Sequence, residues 1–192
     1  MERKYAWHNY DDATMEKVYA LSDTYRQFLD NGKTERECVV QAVEFAEAKG
    51  YVNLKDIIKS NTPIKAGDKI YYTHMDKSIA LFNIGTDDIE LGMNILGAHI
   101  DSPRIDVKQN PQYEDSNLVF WDTHYYGGIK KYHWVAMPLA IHGVVVKTDG
   151  TRININIGDN ENDPVFCITD LLPHLGQEQM QKNAAKVIEG EA

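Results

Sequence analysis

The sequence has little cysteine and a deficit of positive charge. Its 192 residues include only two cysteines, Cys38 and Cys167, which lie far apart and lack the C-x-x-C spacing of zinc ribbons and redox motifs. We therefore expect two reduced, buried thiols and no disulfide. The chain carries 20 Lys and Arg residues against 29 Asp and Glu residues, a formal net charge of -9. Such a field repels nucleic acid and anionic membranes on average.

Targeting and membrane-spanning patterns are missing as well. The N-terminus, Met1–Tyr5, is polar and lacks the apolar core of a signal peptide, and no apolar run approaches the length of a membrane span. The hydrophobic share of 43% and the charged share of 26% are those of an ordinary soluble globular protein. We expect a cytoplasmic protein that binds neither nucleic acid nor membranes.

The first fifty residues have the pattern of two helices. Apolar side chains recur at three- and four-residue spacing from Met15 to Phe28, and Asn31-Gly32 then supplies a helix stop. Thr34-x-x-Glu37 has the form of a capping box and opens a second helix that ends at Gly50. The inner face of this helix is predicted to consist of Cys38, Val39, Ala42, Val43, Phe45 and Ala46.

The rest of the chain favours strands. Residues 69–74 and 78–83 are rich in β-formers and are separated by a short polar turn. Residues 93–98 form a short apolar run flanked by glycines, which predicts a strand buried on both faces. Further short strands are expected at 118–121, 139–147, 152–157 and 165–168, and one more helix at 177–188. The order of these elements, with helices first and strands after them, predicts a layered α/β fold with a mainly β part beyond a boundary near residue 107.

One short motif combines side chains that suit metal chemistry. His99 and Asp101 follow the apolar run of residues 93–98, and open α/β sheets bind ligands at the C-terminal ends of strands. Residues i and i+2 of an extended backbone project to the same side. A carboxylate beside an imidazole can accept its ring N–H and leave the other nitrogen for a metal. The H-x-D pattern alone is compatible with two roles of this pair. One is a metal ligand with its orienting carboxylate, and the other is a purely structural contact.

Four segments carry a resemblance to a known family. Gly97-Ala98-His99-Ile100-Asp101-Ser102-Pro103-Arg104 resembles the first metal-site motif of the M18 (aspartyl aminopeptidase-like) zinc aminopeptidases. The Tyr125-Tyr126-Gly127-Gly128 stretch, residues 134–143 and residues 166–175 resemble the family segments that follow, in the same order. The sequence is thus similar to the N-terminal portion of these enzymes.

The resemblance implies a fold and a site. Residues 1–106 would form the N-terminal part of a zinc-peptidase α/β/α domain, interrupted by a β-rich dimerisation domain that includes residues 107–192. His99 would be a ligand in a site for two zinc ions, with cobalt or manganese as alternative metals, and Asp101 would orient it. The implied activity is removal of N-terminal amino acids from peptides.

Family members assemble into homo-oligomers built from dimers, up to dodecamers. His174 matches a histidine that reaches a neighbouring subunit's active site in the family, although a packing role after Pro173 fits this position equally well.

Two departures from the family pattern stand out. Ala136-Met137 replaces the Asp-Arg that often follows the tryptophan, so we expect a different interface or substrate pocket. The resemblance also implies that Ala192, the last residue of the sequence, lies within the inserted domain. The bridging aspartate, the Glu-Glu pair with the general base and the remaining aspartate and histidine ligands would all lie beyond it. Because a catalytic zinc needs about three protein ligands, we expect the isolated chain to be inactive.

Two alternatives to the aminopeptidase are compatible with the residues. The chain could serve as a catalytically inactive, truncated interaction or regulatory subunit. It could also be a non-haem iron 2-oxoglutarate oxygenase, in which His99, Asp101 and His142 hold iron and Arg152 binds the co-substrate carboxylate. The helical first third and the G-A-H-I-D-S-P-R motif favour the peptidase over this oxygenase.

Overall fold

The chain forms two compact units that divide between Asp101 and Ser102 in a computed structural model, which describes residues 5–190. The division lies near the boundary predicted at residue 107. The assignment of the two parts to a catalytic and a dimerisation domain stays a prediction. Between residues 5 and 190, no helix combines the length and the apolar character that a membrane span requires.

The first unit begins with helices whose ends are fixed by local side chains. The Asp11 carboxylate accepts a hydrogen bond from the Thr14 N–H and caps α1 (Asp12–Asn31). The capping box predicted for α2 (Glu35–Ala48) is confirmed, because Thr34 Oγ1 accepts from the Glu37 N–H while Glu37 Oε2 accepts from the Thr34 N–H at 2.9 Å. The elements of this unit are α1 (Asp12–Asn31), α2 (Glu35–Ala48), β1 (Val52–Asn53), α3 (Leu54–Ser60), β2 (Lys69–His74) and β3 (Ser78–Asn83), with 3-10 turns at Ala6–Asn9 and Ile89–Leu91.

A three-stranded sheet lies between helices in this unit. The strand order is β1-β2-β3, with β1 parallel to β2 and β2 antiparallel to β3. Consecutive side chains of β2 contact helices on opposite faces of the sheet. The Tyr71 hydroxyl donates to Glu47 of α2, and Lys55 of α3 lies over the Tyr72 ring. The buried apolar residues of the described chain all belong to this unit and are Cys38, Val39, Ala46, Ile70 and Tyr71. The predicted mixed α/β fold is confirmed.

The second unit consists of two antiparallel hairpins and irregular segments. Its elements are β4 (Arg104–Asp115), β5 (Leu118–Tyr126), β6 (Ile141–Val146) and β7 (Arg152–Ile157), with 3-10 turns at Lys131–His133 and Gln179–Gln181. β4 pairs with β5 and β6 with β7. The β4–β5 register shifts between Val107 and Gln112, and Pro111 falls in this irregular stretch, where its missing N–H breaks no ladder hydrogen bond. Residues 165–168 contribute only isolated bridges, Leu139 with Phe166 and Val135 with Ile168.

The strand predicted over residues 93–98 does not form. Residues 93–100 make no backbone-to-backbone hydrogen bond with any described residue, and the Leu96 side chain is fully exposed. A β-strand requires a neighbouring strand to satisfy its N–H and C=O groups, and no strand between residues 5 and 190 pairs with this segment. His99 and Asp101 therefore do not stand at a strand end in this structure.

Three smaller predictions are also corrected. The helix expected over residues 177–188 is limited to one 3-10 turn at Gln179–Gln181, because a short helix without a packed face does not recover the cost of nucleation. Both cysteines are free as expected, but only Cys38 is buried; Cys167 is exposed because its segment forms isolated bridges and no sheet. Phe45, assigned to the inner face of α2, is half exposed and stacks on Phe28.

Candidate metal ligand

His99 and Asp101 are in direct contact. His99 Nδ1 lies 3.1 Å from Asp101 Oδ1 and 3.1 Å from the Asp101 carbonyl oxygen. Two oxygen acceptors around Nδ1 favour the tautomer that carries its proton there, which leaves the lone pair of Nε2 available. The imidazole is 84% exposed, so Nε2 is accessible to a metal ion. The contact predicted from the H-x-D spacing is present, although the strand that was to support it is not.

The residues that follow Asp101 are tied to the β4–β5 hairpin of the second unit. The Arg104 guanidinium lies 4.3 Å from the centre of the Tyr126 ring, and Arg104 Nε donates to Asp106 Oδ1 at 2.8 Å. Gly127 has a φ of +72°, and a β-carbon built on it would lie 3.4 Å from Pro103. The Ser-Pro-Arg and Tyr-Gly-Gly segments, recognised separately in the sequence, therefore pack against each other.

His174 belongs to the second unit and is exposed. It lines an open cleft of about 1030 Å³, together with Asp170, Lys131 and Trp134. The Gln179 side-chain amide and the Leu171 N–H each donate to Asp170 Oδ1 at 2.8 Å, and these hydrogen bonds lower the pKa of that carboxyl below its ordinary value. The assignment of His174 to a neighbouring subunit's active site stays a prediction.

His142 and Arg152, proposed for an iron site, have other surroundings. His142 Nε2 lies 3.2 Å from Asp159 Oδ2, and the His142 side chain is nearly buried. This contact connects β6 to the loop that follows β7. Arg152 lies at the start of β7, opposite Val146 of β6. The contact with Asp159 gives His142 a structural role, because it joins the hairpin to the loop that follows.

The zinc that the resemblance implies needs several protein donors close together. Within residues 5–190, no three or more His, Cys, Asp or Glu side chains are grouped so that they could hold a metal ion. Zinc sites in proteins use about three or four protein ligands. The His99–Asp101 pair fits one imidazole ligand with its orienting carboxylate, and the described residues supply no further ligand beside it.

Comparison with known proteins agrees with the motifs. The family model described as aminopeptidase I zinc metalloprotease (M18) matches residues 28–191. A probable M18 family aminopeptidase 1 of Clostridium acetobutylicum is 53% identical over 190 residues, which are 99% of this chain and 41% of that protein. The chain thus spans less than half of the length of this relative.

Solved structures of the family share the fold. The M18 aminopeptidase of Thermotoga maritima superimposes with a TM-score of 0.87 at 43% identity, covering 100% of this chain and 40% of that one. The mApe1 of S. cerevisiae superimposes with a TM-score of 0.63 at 20% identity, covering 79% of this chain and 36% of that one, and shares the fold alone. These findings leave the oxygenase alternative without support. The sequence match and the structural likeness together establish that the chain belongs to the M18 family of aminopeptidases.

Proposed function

We propose that the chain provides one zinc ligand, His99, and its orienting carboxylate, Asp101, to the active site of an aminopeptidase that removes N-terminal amino acids from peptides. The observation that carries this proposal is the 3.1 Å contact between His99 Nδ1 and Asp101 Oδ1, which directs Nε2 away from the carboxylate. When bound, zinc polarises the scissile carbonyl and lowers the pKa of a coordinated water. Cobalt and manganese are the alternative metals, since availability as well as affinity decides occupancy.

The role of Asp101 is to hold the imidazole and to raise its basicity. Because the carboxylate accepts a hydrogen bond from the Nδ1–H group, it fixes the tautomer and the ring orientation, so that Nε2 binds the metal as a neutral nitrogen. Loss of such a carboxylate costs about 10- to 100-fold in metal affinity or activity in other zinc sites. The proposal therefore predicts that substitution of His99 reduces zinc binding and activity more than substitution of Asp101 does.

The decisive experiment needs a protein with a complete metal site. A chimera in which this chain replaces the matched region of the Clostridium acetobutylicum relative provides one, given the 53% identity of the two sequences. His99→Ala should reduce the bound zinc and abolish hydrolysis of aminoacyl p-nitroanilides. Asp101→Asn should keep the zinc at saturation but weaken its affinity about 10- to 100-fold.

The matched control is His74→Ala, which removes an exposed imidazole at the end of β2. It should leave the zinc content and the rate unchanged. Equal zinc content and equal rates in the His99→Ala and His74→Ala chimeras would contradict the assignment.

A catalytically inactive interaction subunit remains the second candidate. It is favoured by one observation, that residues 5–190 contain no group of three or more potential metal ligands. This candidate predicts that the 192-residue chain purifies from its source cells with a longer homologous subunit and without peptidase activity of its own. Isolation of a zinc-loaded, active 192-residue protein would rule it out.

We further propose that the complete assembly is a homo-oligomer in the cytoplasm. A dodecamer is the form named for the S. cerevisiae protein that shares this fold. In such an assembly, His174 would reach a neighbouring subunit's site, since it is exposed on the second unit. His174→Ala in the chimera should lower the rate of hydrolysis without lowering the zinc content. An unchanged rate would leave His174 with a packing role only.

A further inference from the structure

His174 lies in a loop of the second unit, residues 170–179, which we call the His174 loop. Up to the 3-10 turn at its end, this loop forms neither helix nor strand. The backbone turns at His174, because the Leu175 and Gly176 N–H groups both donate to the Leu172 carbonyl oxygen at 2.9 Å. Within the part of the chain that the structure describes, the His174 imidazole makes no hydrogen bond, ion pair or ring contact. Its direction therefore depends on the conformation of the loop.

One carboxylate joins the two ends of the His174 loop. Asp170 Oδ1 accepts a hydrogen bond from the Gln179 side-chain amide and another from the Leu171 N–H, both at 2.8 Å. These hydrogen bonds lower the pKa of Asp170, so the acceptor is charged at neutral pH, and hydrogen bonds to charged acceptors are the stronger kind. Among the described residues, the loop makes no other hydrogen bond through a side chain.

The Gln179 side chain lies against the turn that carries His174. Gly176 is buried, and a β-carbon built on it would lie 3.0 Å from Gln179 Oε1 and 3.5 Å from Leu171 Cβ. Glycine at this position thus lets the Gln179 amide pass close to the backbone on its way to Asp170. Since His174 lies between Asp170 and Gln179 in the sequence, opening their contact would release both sides of the turn.

We propose that Asp170 and Gln179 are positioning residues for His174, because their hydrogen bond closes the loop and holds the imidazole in the orientation that reaches the neighbouring subunit's site. The inference rests on the role proposed above for His174. Its physical basis is preorganisation, since a group that is ordered before the reaction loses no further freedom in it. One such hydrogen bond changes the ratio of closed to open loop by about three- to tenfold, and the rate should change by the same factor.

An exchange of the two side-chain groups tests the proposal in the chimera described above. Gln179→Glu places a second carboxylate against Asp170, so kcat/KM for aminoacyl p-nitroanilides should fall about three- to tenfold at unchanged zinc content and unchanged assembly size. Adding Asp170→Asn reverses the pair. The new amide donates to the new carboxylate, while its oxygen still accepts from the Leu171 N–H. This double variant should restore kcat/KM to within about twofold of the original.

Gln181→Glu is the matched control. Gln181 belongs to the same 3-10 turn, is exposed and makes no side-chain hydrogen bond with any described residue. The control adds the same charge further along this turn and should leave kcat/KM unchanged. In a His174→Ala background, Gln179→Glu should have no further effect, since no imidazole is left to position. A contact that serves stability alone would lower kcat/KM equally with and without His174.

This proposal and the role of His174 fail with different results. If His174→Ala lowers kcat/KM and Gln179→Glu does not, the positioning role is wrong and the role of His174 stands. If His174→Ala leaves kcat/KM unchanged, both are wrong. A double variant that stays as slow as Gln179→Glu, or an equal loss in the His174→Ala background, also overturns the positioning role. Where Gln179→Glu prevents assembly, Gln179→Met removes the donor without adding a charge and must lower kcat/KM only when His174 is present.

Discussion

The hydrogen bond between Tyr71 and Glu47 ties the central strand of the first unit to α2. Tyr71 is 4% exposed, and its hydroxyl donates to Glu47 Oε1 at 2.7 Å. Hydrogen bonds to charged acceptors contribute about 1.5–3 kcal/mol to stability. Because Glu47 is exposed and water can replace the lost donor, we place the cost of Tyr71→Phe at the lower end, about 1.5 kcal/mol. With an m-value of about 1.5 kcal/mol/M, the urea midpoint should fall by about 1 M.

The same contact gives the stability a pH dependence. The hydrogen bond to Glu47 and the burial of the phenol raise the pKa of Tyr71 above its ordinary value of 10.0. The contribution of this group to the free energy of unfolding is therefore complete below pH 10.0 and is lost as the pH rises through the higher pKa of the folded state. Tyr71→Phe should remove this part of the alkaline destabilisation.

Urea unfolding followed by far-UV circular dichroism measures both effects, since the α-helices lie in this unit. The matched control is Tyr72→Phe, at the next position of β2, where the ring lies under Lys55 and contacts α3 from the other face of the sheet. The control should shift the midpoint by less than half as much. Equal midpoints for the two variants, or an unchanged alkaline limb in Tyr71→Phe, would refute the assigned role of the hydroxyl.

Three further outcomes are expected from local contacts. Thr34→Ala removes the hydroxyl of the capping box shared with Glu37 and should cost about 1 kcal/mol, measured as a lower urea midpoint; an unchanged midpoint would contradict it. Gly127→Ala places a β-carbon at a φ of +72° and should cost about 1 kcal/mol, seen as a lower melting temperature. Asp163 accepts a hydrogen bond from the Gly158 N–H, which lowers the pKa of that carboxyl below its ordinary value of 3.8; the pH titration of the Gly158 amide resonance should therefore have its midpoint below pH 3.8 and disappear in Asp163→Asn.

The parts of the fold that the sequence predicted correctly depend on local signals. The capping box at Thr34 and Glu37 fixes the start of α2 from residues three positions apart. The β2–β3 hairpin follows from two runs of β-forming residues and the short turn between them. Interactions of this kind are complete within a few residues and need no distant partner.

The missed elements had weak or contradictory signals. β4 has the sequence RIDVKQNPQYED, which is polar and contains Pro111, yet it forms a strand because β5 supplies the ladder and the proline falls where the register shifts. α3 has only seven residues and was not predicted, although Asn53 caps its start and Asn61, in the left-handed region, ends it. Both asparagines are typical helix-boundary residues and are the local signal in the sequence that marks this short helix.

The candidate site, like the fold, combines one local interaction that the sequence predicts with distant interactions that it does not. His99 and Asp101 are two residues apart, so their contact forms even though the strand expected to carry them does not. That strand needs neighbours for its backbone groups, and a catalytic zinc needs about three protein ligands. Residues 5–190 provide neither beside this segment. The wrong strand prediction and the single ligand thus have one cause: a strand and a zinc site both need groups that are distant in sequence, and local patterns such as the apolar run of residues 93–98 and the H-x-D motif do not specify them.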